Sequence, residues 1–206
     1  MSHVECIEET RADPRDPGLL RIRVGSRWLD PIRRETAISL RLSEGRRWTR
    51  TLAVKVQAEI DAVACRADAM RRLGARDLTC AALQARLTRR WGQAIADRTV
   101  RELSASGWLD DRAFAARRAG QLQLRSPLST DLLQARLEHE GVPERHARRA
   151  AEAVQDEGAL HRQVLAWKRQ GRAGEWMVRR LGRQGFDADT IAAALHRARV
   201  PCDLEP

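Results

Sequence analysis

Tyrosine is missing from this chain, and phenylalanine occurs only twice in 206 residues. Without tyrosine, one class of nucleophile and proton donor is unavailable. The four cysteines, Cys6, Cys65, Cys80 and Cys202, stand far apart with no C-x-x-C pair. That spacing argues against a disulfide framework or a thiolate metal site, and they read as free thiols of a cytoplasmic protein. The histidines His3, His139, His146, His161 and His196 show neither H-x-x-x-H nor H-E-x-x-H spacing, which disfavours a zinc hydrolase. A Walker lysine motif and a G-x-G-x-x-G turn are also missing. No apolar run approaches the ~18 residues of a membrane helix. Met1 to Arg15 is acidic and polar, unlike a signal peptide. The expectation is a protein with no metal, no cofactor, no membrane segment and no catalytic residues.

Lysine is scarce too, and here the scarcity points somewhere. Lys and Arg total 38 against 28 acidic residues, a net charge of +10, yet only Lys55 and Lys168 are lysines. Arginine presents a planar fork that fits phosphate and carboxylate oxygens in pairs. Arg doublets recur at 71–72, 89–90, 117–118, 148–149 and 179–180. Such a balance suits nucleic acid or an acidic protein groove.

One segment carries the most local information: Gly107-Trp108-Leu109-Asp110-Asp111-Arg112-Ala113-Phe114-Ala115. Gly107 can adopt the left-handed conformation that closes a helix. Asp110 can cap the next helix, with Leu109 and Phe114 as a hydrophobic staple. Asp111 falls in the first turn, where the helix dipole favours negative charge. Capping accounts for both carboxylates better than a metal pair does. The same grammar recurs at Leu78-Thr79 with Leu83, at Leu128-Ser129 with Leu133, and at Phe186-Asp187 with Ile191.

An echo also runs inside the helices. Leu83-Gln-Ala-Arg86-Leu87 returns as Leu133-Gln-Ala-Arg136-Leu137 and more loosely as Met177-Val-Arg-Arg180-Leu181, each followed by a glycine, Gly92, Gly141 or Gly185. The period of about 50 and then 44 residues implies a helical repeat array. Leu52, Val56, Ile60, Val63, Ala67, Met70 and Leu73 step by three or four, as helix does. The fold expected is mainly α, an elongated tandem array of three three-helix repeats preceded by a small β-hairpin and helix. Residues 1–17 are expected to be a disordered tail, with the hairpin element and a lead helix over 18–60. The repeats are expected over 61–106, 107–157 and 158–199, with a tail at 200–206. Within the first element, Leu20 to Val24 alternates as a strand, Gly25-Ser26 turns, and Arg27 to Leu29 returns. Asp30-Pro31 reads as the cap and first residue of a short helix over 31–42.

These residues resemble the RecX family, regulators of the RecA recombinase. The family's G-x-L-D-D-x-x-F-A stretch is matched by Gly107 to Ala115. Its final basic-Leu-x-x-x-Gly-Phe with a later isoleucine is matched by Arg180-Leu181, Gly185-Phe186 and Ile191. Where the family usually has a Ser cap and a nearby Glu in its first unit, this chain has Thr79 and Ala82. The resemblance spans about residues 60–199. It implies a non-catalytic regulator of recombination and DNA repair that lies in the groove of the RecA filament on single-stranded DNA and restrains ATP hydrolysis and strand exchange. Charge and helical position nominate Arg86, Arg89, Arg90, Arg117, Arg118, Arg136, Arg179, Arg180 and Arg183 for the contact face. Gly107, Leu109, Asp110, Asp111 and Phe114 are structural. No heptad seam is evident, so a monomer is expected. Two alternatives stay open: a general nucleic-acid-binding repeat protein, and a scaffold for an acidic protein. Among the six tryptophans, Trp91 beside Arg89-Arg90 is the candidate for base stacking, against the commoner role of packing between helices.

Overall fold

The computed structural model describes residues 5–201. The chain forms two compact units, one comprising residues up to 77 together with 83–105, the other 78–82 together with the chain from 106 onward.

The first unit opens with a small antiparallel sheet. Strand β1 (Ile7–Ala12) pairs with β2 (Leu19–Val24), which also pairs with β3 (Arg27–Trp28) and β4 (Ile32–Arg33). Gly25 takes φ +57° in the two-residue hairpin turn, as the sequence suggests. Strand β1 corrects the expectation that 1–17 is disordered; residues 1–4 of that stretch lie outside the described residues. Ile7 is completely buried, and its N–H donates to the Arg46 carbonyl at 2.8 Å while its own carbonyl accepts from Gly45 at 2.8 Å. A single apolar anchor leaves no periodic pattern to read, and the partner segment lies about forty positions away. A second correction concerns 31–42. Ile32 and Arg33 are strand, opposite Leu20 and Leu19, and helix α1 (Arg34–Ser39) starts only afterwards with no side-chain cap. Ile32 is fully buried beside Ile7, Ile22, Val56 and Ile60, so tertiary burial overrides the local Asp-Pro signal.

Helix α2 (Arg50–Ala75) begins at its Thr49 cap, whose hydroxyl accepts from the Leu52 N–H at 3.2 Å, and runs unbroken for 26 residues. The boundary expected between 60 and 61 therefore falls inside a helix; no glycine or proline interrupts the chain there. Helices α3 (Cys80–Trp91) and α4 (Gln93–Ala105) complete the first triplet. An ion network ties sheet to helices: Arg33 donates to both oxygens of Glu59 (2.5 and 3.1 Å) and to Glu102, and Arg98 donates to Glu59 (3.3 Å) and Glu102 (2.9 Å). The Glu59 side chain is only 4% exposed. Burial alone would raise its pKa, but the Arg33 hydrogen bonds and charge, with help from Arg98, hold it below the ordinary glutamate range.

The second unit contains two further triplets. They are α5 (Asp111–Arg125), α6 (Thr130–His139) and α7 (Glu144–Ala153), then α8 (Glu157–Arg169), α9 (Gly174–Gly182) and α10 (Ala188–Arg197). Each triplet closes on its own core, Ala115, Leu133, Leu137 and Ala147 in one, Val164, Met177, Leu181 and Ile191 in the other. Trp167 and Trp176 meet edge to face at 5.1 Å within the latter.

The four caps read with a hydrophobic staple all form, unlike the one read at Asp30. Asp110, Thr79, Ser129 and Asp187 accept from the N–H of Ala113, Ala82, Leu132 and Thr190 at 2.9, 3.1, 3.2 and 2.7 Å. Gly107 has φ +77°, Leu109 is buried, and Phe114 packs on the core of Ala115, Leu133 and Leu137. Asp111 does more than face its own helix dipole: its Oδ1 accepts the Cys80 N–H at 2.8 Å, capping a first-turn donor of α3. A second contact repeats from triplet to triplet. The Thr79 hydroxyl donates to the Glu140 carbonyl (2.9 Å), and the Ser129 N–H donates to the Gln184 carbonyl (2.9 Å). The next residues are Gly141 and Gly185, at φ +88° and +85°. A side chain at either would strike the facing cap, since a Cβ at 141 would lie 2.8 Å from Thr79 Oγ1 and one at 185 would lie 2.7 Å from Leu132 Cβ.

Candidate nucleic-acid interface

The second helix of each triplet is set by the same buried pair, Leu83/Leu87, Leu133/Leu137 and Met177/Leu181, all fully buried. Arg86, Arg136 and Arg180 each precede the second member of the pair, so each occupies the same position on its helix. Arg136 and Arg180 are exposed; Arg86 is half-buried.

The surroundings of Arg86 are unusual. It stands among Arg72 and Arg76 from the end of α2 and Arg89 from its own helix. Desolvation, followed by those three like charges, lowers the pKa of its guanidinium. Arg72 is partly offset by Asp68, whose carboxylate also receives Arg71 Nη2 (3.2 Å) and the Trp91 indole N–H (3.2 Å). Burial works against ionised Asp68, but these donors prevail and keep its pKa below the ordinary value. The structure thus adds Arg72 and Arg76 to the nominated Arg86 and Arg89. The 71–72 doublet was visible in the sequence; its convergence with Arg86 depends on how α3 packs on α2.

Trp91 is half-buried and hydrogen-bonded to Asp68, with the Arg90 guanidinium 4.9 Å from its ring centroid. That is the packing role weighed against base stacking. Arg118 is committed inside the fold: its Nε and Nη2 grip the Glu140 carboxylate at 2.6–2.9 Å. The hydrogen bond to Glu140 raises the Arg118 pKa against a smaller opposing effect of desolvation. Arg117 and Arg183 are exposed, and Arg179 is exposed with Glu175 at 3.8 Å. Both carboxylates of the 110–111 pair are engaged as helix caps. Among the described residues no cluster of three or more His, Cys, Asp or Glu could hold a metal ion, and no helix is long and apolar enough to cross a membrane.

A sheet-led helical repeat with arginine-rich second helices defines a mainly-α repeat class, and the comparison with solved structures narrows it. The chain has the RecX fold. It superposes on a crystal structure of the regulatory protein RecX with a TM-score of 0.74 at 13% identity, covering 93% of this chain and 99% of that one. Against the crystal structure of RecX from Lactobacillus salivarius the TM-score is 0.58 at 14% identity, covering 68% and 97%. No family model and no curated protein matches the sequence.

Proposed function

We propose that this protein is a non-catalytic regulator of a RecA-type recombinase, binding in the groove of its filament on single-stranded DNA and restraining ATP hydrolysis and strand exchange. The observation that carries the reading is the gathering of Arg72, Arg76, Arg86 and Arg89 in one place. Neighbouring arginine forks suit a surface for external anions, and a filament groove offers DNA phosphates and acidic protein surface. The RecX fold and the repetition of Arg86 as Arg136 and Arg180 support it. The contact face would comprise these residues with Arg90, Arg117, Arg179 and Arg183, acting from a monomer.

The test is DNA-stimulated ATP hydrolysis by the recombinase, with this protein titrated in below the concentration of DNA sites. Inhibition at that ratio, lost in a triple charge reversal at Arg86, Arg136 and Arg180 with helicity unchanged, is the expected result. Inhibition only once the DNA is saturated would favour a general nucleic-acid-binding protein instead, with binding that weakens steeply in salt.

A further inference from the structure

The outer face of the N-terminal sheet is also cationic, and in a way the helical repeats do not share. Register places Arg11 directly opposite Arg21, and Glu9 opposite Arg23, which in turn faces Trp28. Ile22 and Val24 point the other way, into the core, so Arg11, Arg21, Arg23 and Trp28 share the outer surface. Glu8 and Glu9 both pair with Arg23. Among the described residues, no carboxylate pairs with Arg11 or Arg21, and the buried Arg21 Nε has no hydrogen-bond acceptor. Like charges set directly opposite on an antiparallel pair destabilise it. The Arg11 guanidinium lies 3.9 Å from the Trp28 ring centroid, and that of Arg23 lies 5.9 Å away. The indole thus has two guanidinium groups near its ring.

We infer that this sheet face is a second binding surface, for single-stranded nucleic acid, with Arg11 and Arg21 taking backbone phosphates and the Arg11–Trp28 stack supporting a base. Two neighbouring guanidinium forks without carboxylates match phosphate oxygens. The stacked planes match base rings, which pack on aromatic and guanidinium surfaces without regard to sequence. An acidic peptide would use the charges but leave the planes idle. This binding requires no recombinase, so it stands or falls separately from the function proposed above.

The experiment is fluorescence anisotropy of a fluorescein-labelled twenty-nucleotide oligothymidylate with the full chain, repeated across a range of salt, for the native protein and for Arg11→Gln/Arg21→Gln. Loss of two phosphate contacts on a single strand should reduce the slope of log affinity against log salt by about 1.4, with Kd rising about tenfold. The thermal midpoint should hold or rise, because facing like charges are removed. Should the double variant unfold, Arg21→Gln alone should show about half the slope change. The same substitutions in the Arg86, Arg136 and Arg180 reversal background should still lower the slope, which separates this face from the repeats. An unchanged Kd and slope would overturn the inference. So would unaltered oligothymidylate binding combined with lost binding of a labelled poly-glutamate peptide, which would make the face a site for acidic protein.

Discussion

A Cβ atom placed on Gly141 would lie 2.8 Å from the Thr79 hydroxyl oxygen, so the loop glycine after α6 sits directly on the cap of α3. The same relationship joins Gly185 to Ser129. Gly141→Ala or Gly185→Ala should therefore destabilise by about 2–4 kcal/mol, combining a left-handed backbone with a steric clash. Gly107→Ala has the backbone strain but open space around its Cβ, and should cost only about 1 kcal/mol. Urea unfolding midpoints of the three variants check the order.

Asp110 and Asp111 are adjacent but act on different helices. Asp110→Ala should speed hydrogen exchange at the Ala113 amide, and Asp111→Ala at the Cys80 amide, each with about 1 kcal/mol lost. Exchange measured by NMR distinguishes them; identical exchange patterns for the two variants would contradict the assignment.

The Arg33–Glu59–Arg98–Glu102 network predicts a pH dependence. Both glutamates are held below their ordinary pKa, in each case because arginine bonds and charge outweigh the opposing effect of burial. Stability from the network is therefore fully present above the unfolded value of about 4.3 and is lost as pH falls through the lowered folded values. Glu59→Gln should be less stable at neutral pH and should show a shallower decline in acid. Thermal melts between neutral pH and about pH 3 would check this.

Arg199 ends α10 with φ +51°, a left-handed conformation that suits glycine. Arg199→Gly should stabilise by about 0.5–1 kcal/mol, since the carbonyl that accepts Lys168 Nζ at 3.0 Å is retained. A melting midpoint below that of the native chain would show that the Arg199 side chain contributes contacts of its own.

Arg118 and Arg136 should separate stability from binding. Arg118→Ala removes a partly buried, two-pronged ion pair with Glu140 and should cost about 1 kcal/mol or less after solvent screening. Arg136→Ala should leave the melt unchanged while weakening the recombinase effect. Paired melts and ATPase titrations read both.

Local sequence determined the starts of α3, α5, α6 and α10 and the frame of each second helix. A cap, its staple and the buried Leu pair are all decided within a few residues, by hydrogen bonds and apolar spacing that neighbours along the chain supply. Gly107, Asp110, Ser129, Asp187 and the Leu83, Leu133 and Met177 positions were legible for that reason. The N-terminal strand β1 was not, because one buried isoleucine makes no pattern and the hydrogen-bond partners of that isoleucine at 45 and 46 come from far along the chain. Nor was the strand at Ile32, whose burial outweighs a local cap signal. The second role of Asp111 and the glycine-on-cap contacts depend on residues far apart in the chain meeting within the second unit. Among the arginines, sequence identified the charge and the repeat position. Only the tertiary fold decided that Arg118 is internally paired, that Arg72 and Arg76 join Arg86, and that Arg11 faces Arg21. The physical reason is that a guanidinium's role depends on which charges lie within a few ångströms of it, and for these residues those neighbours are set by packing and strand register.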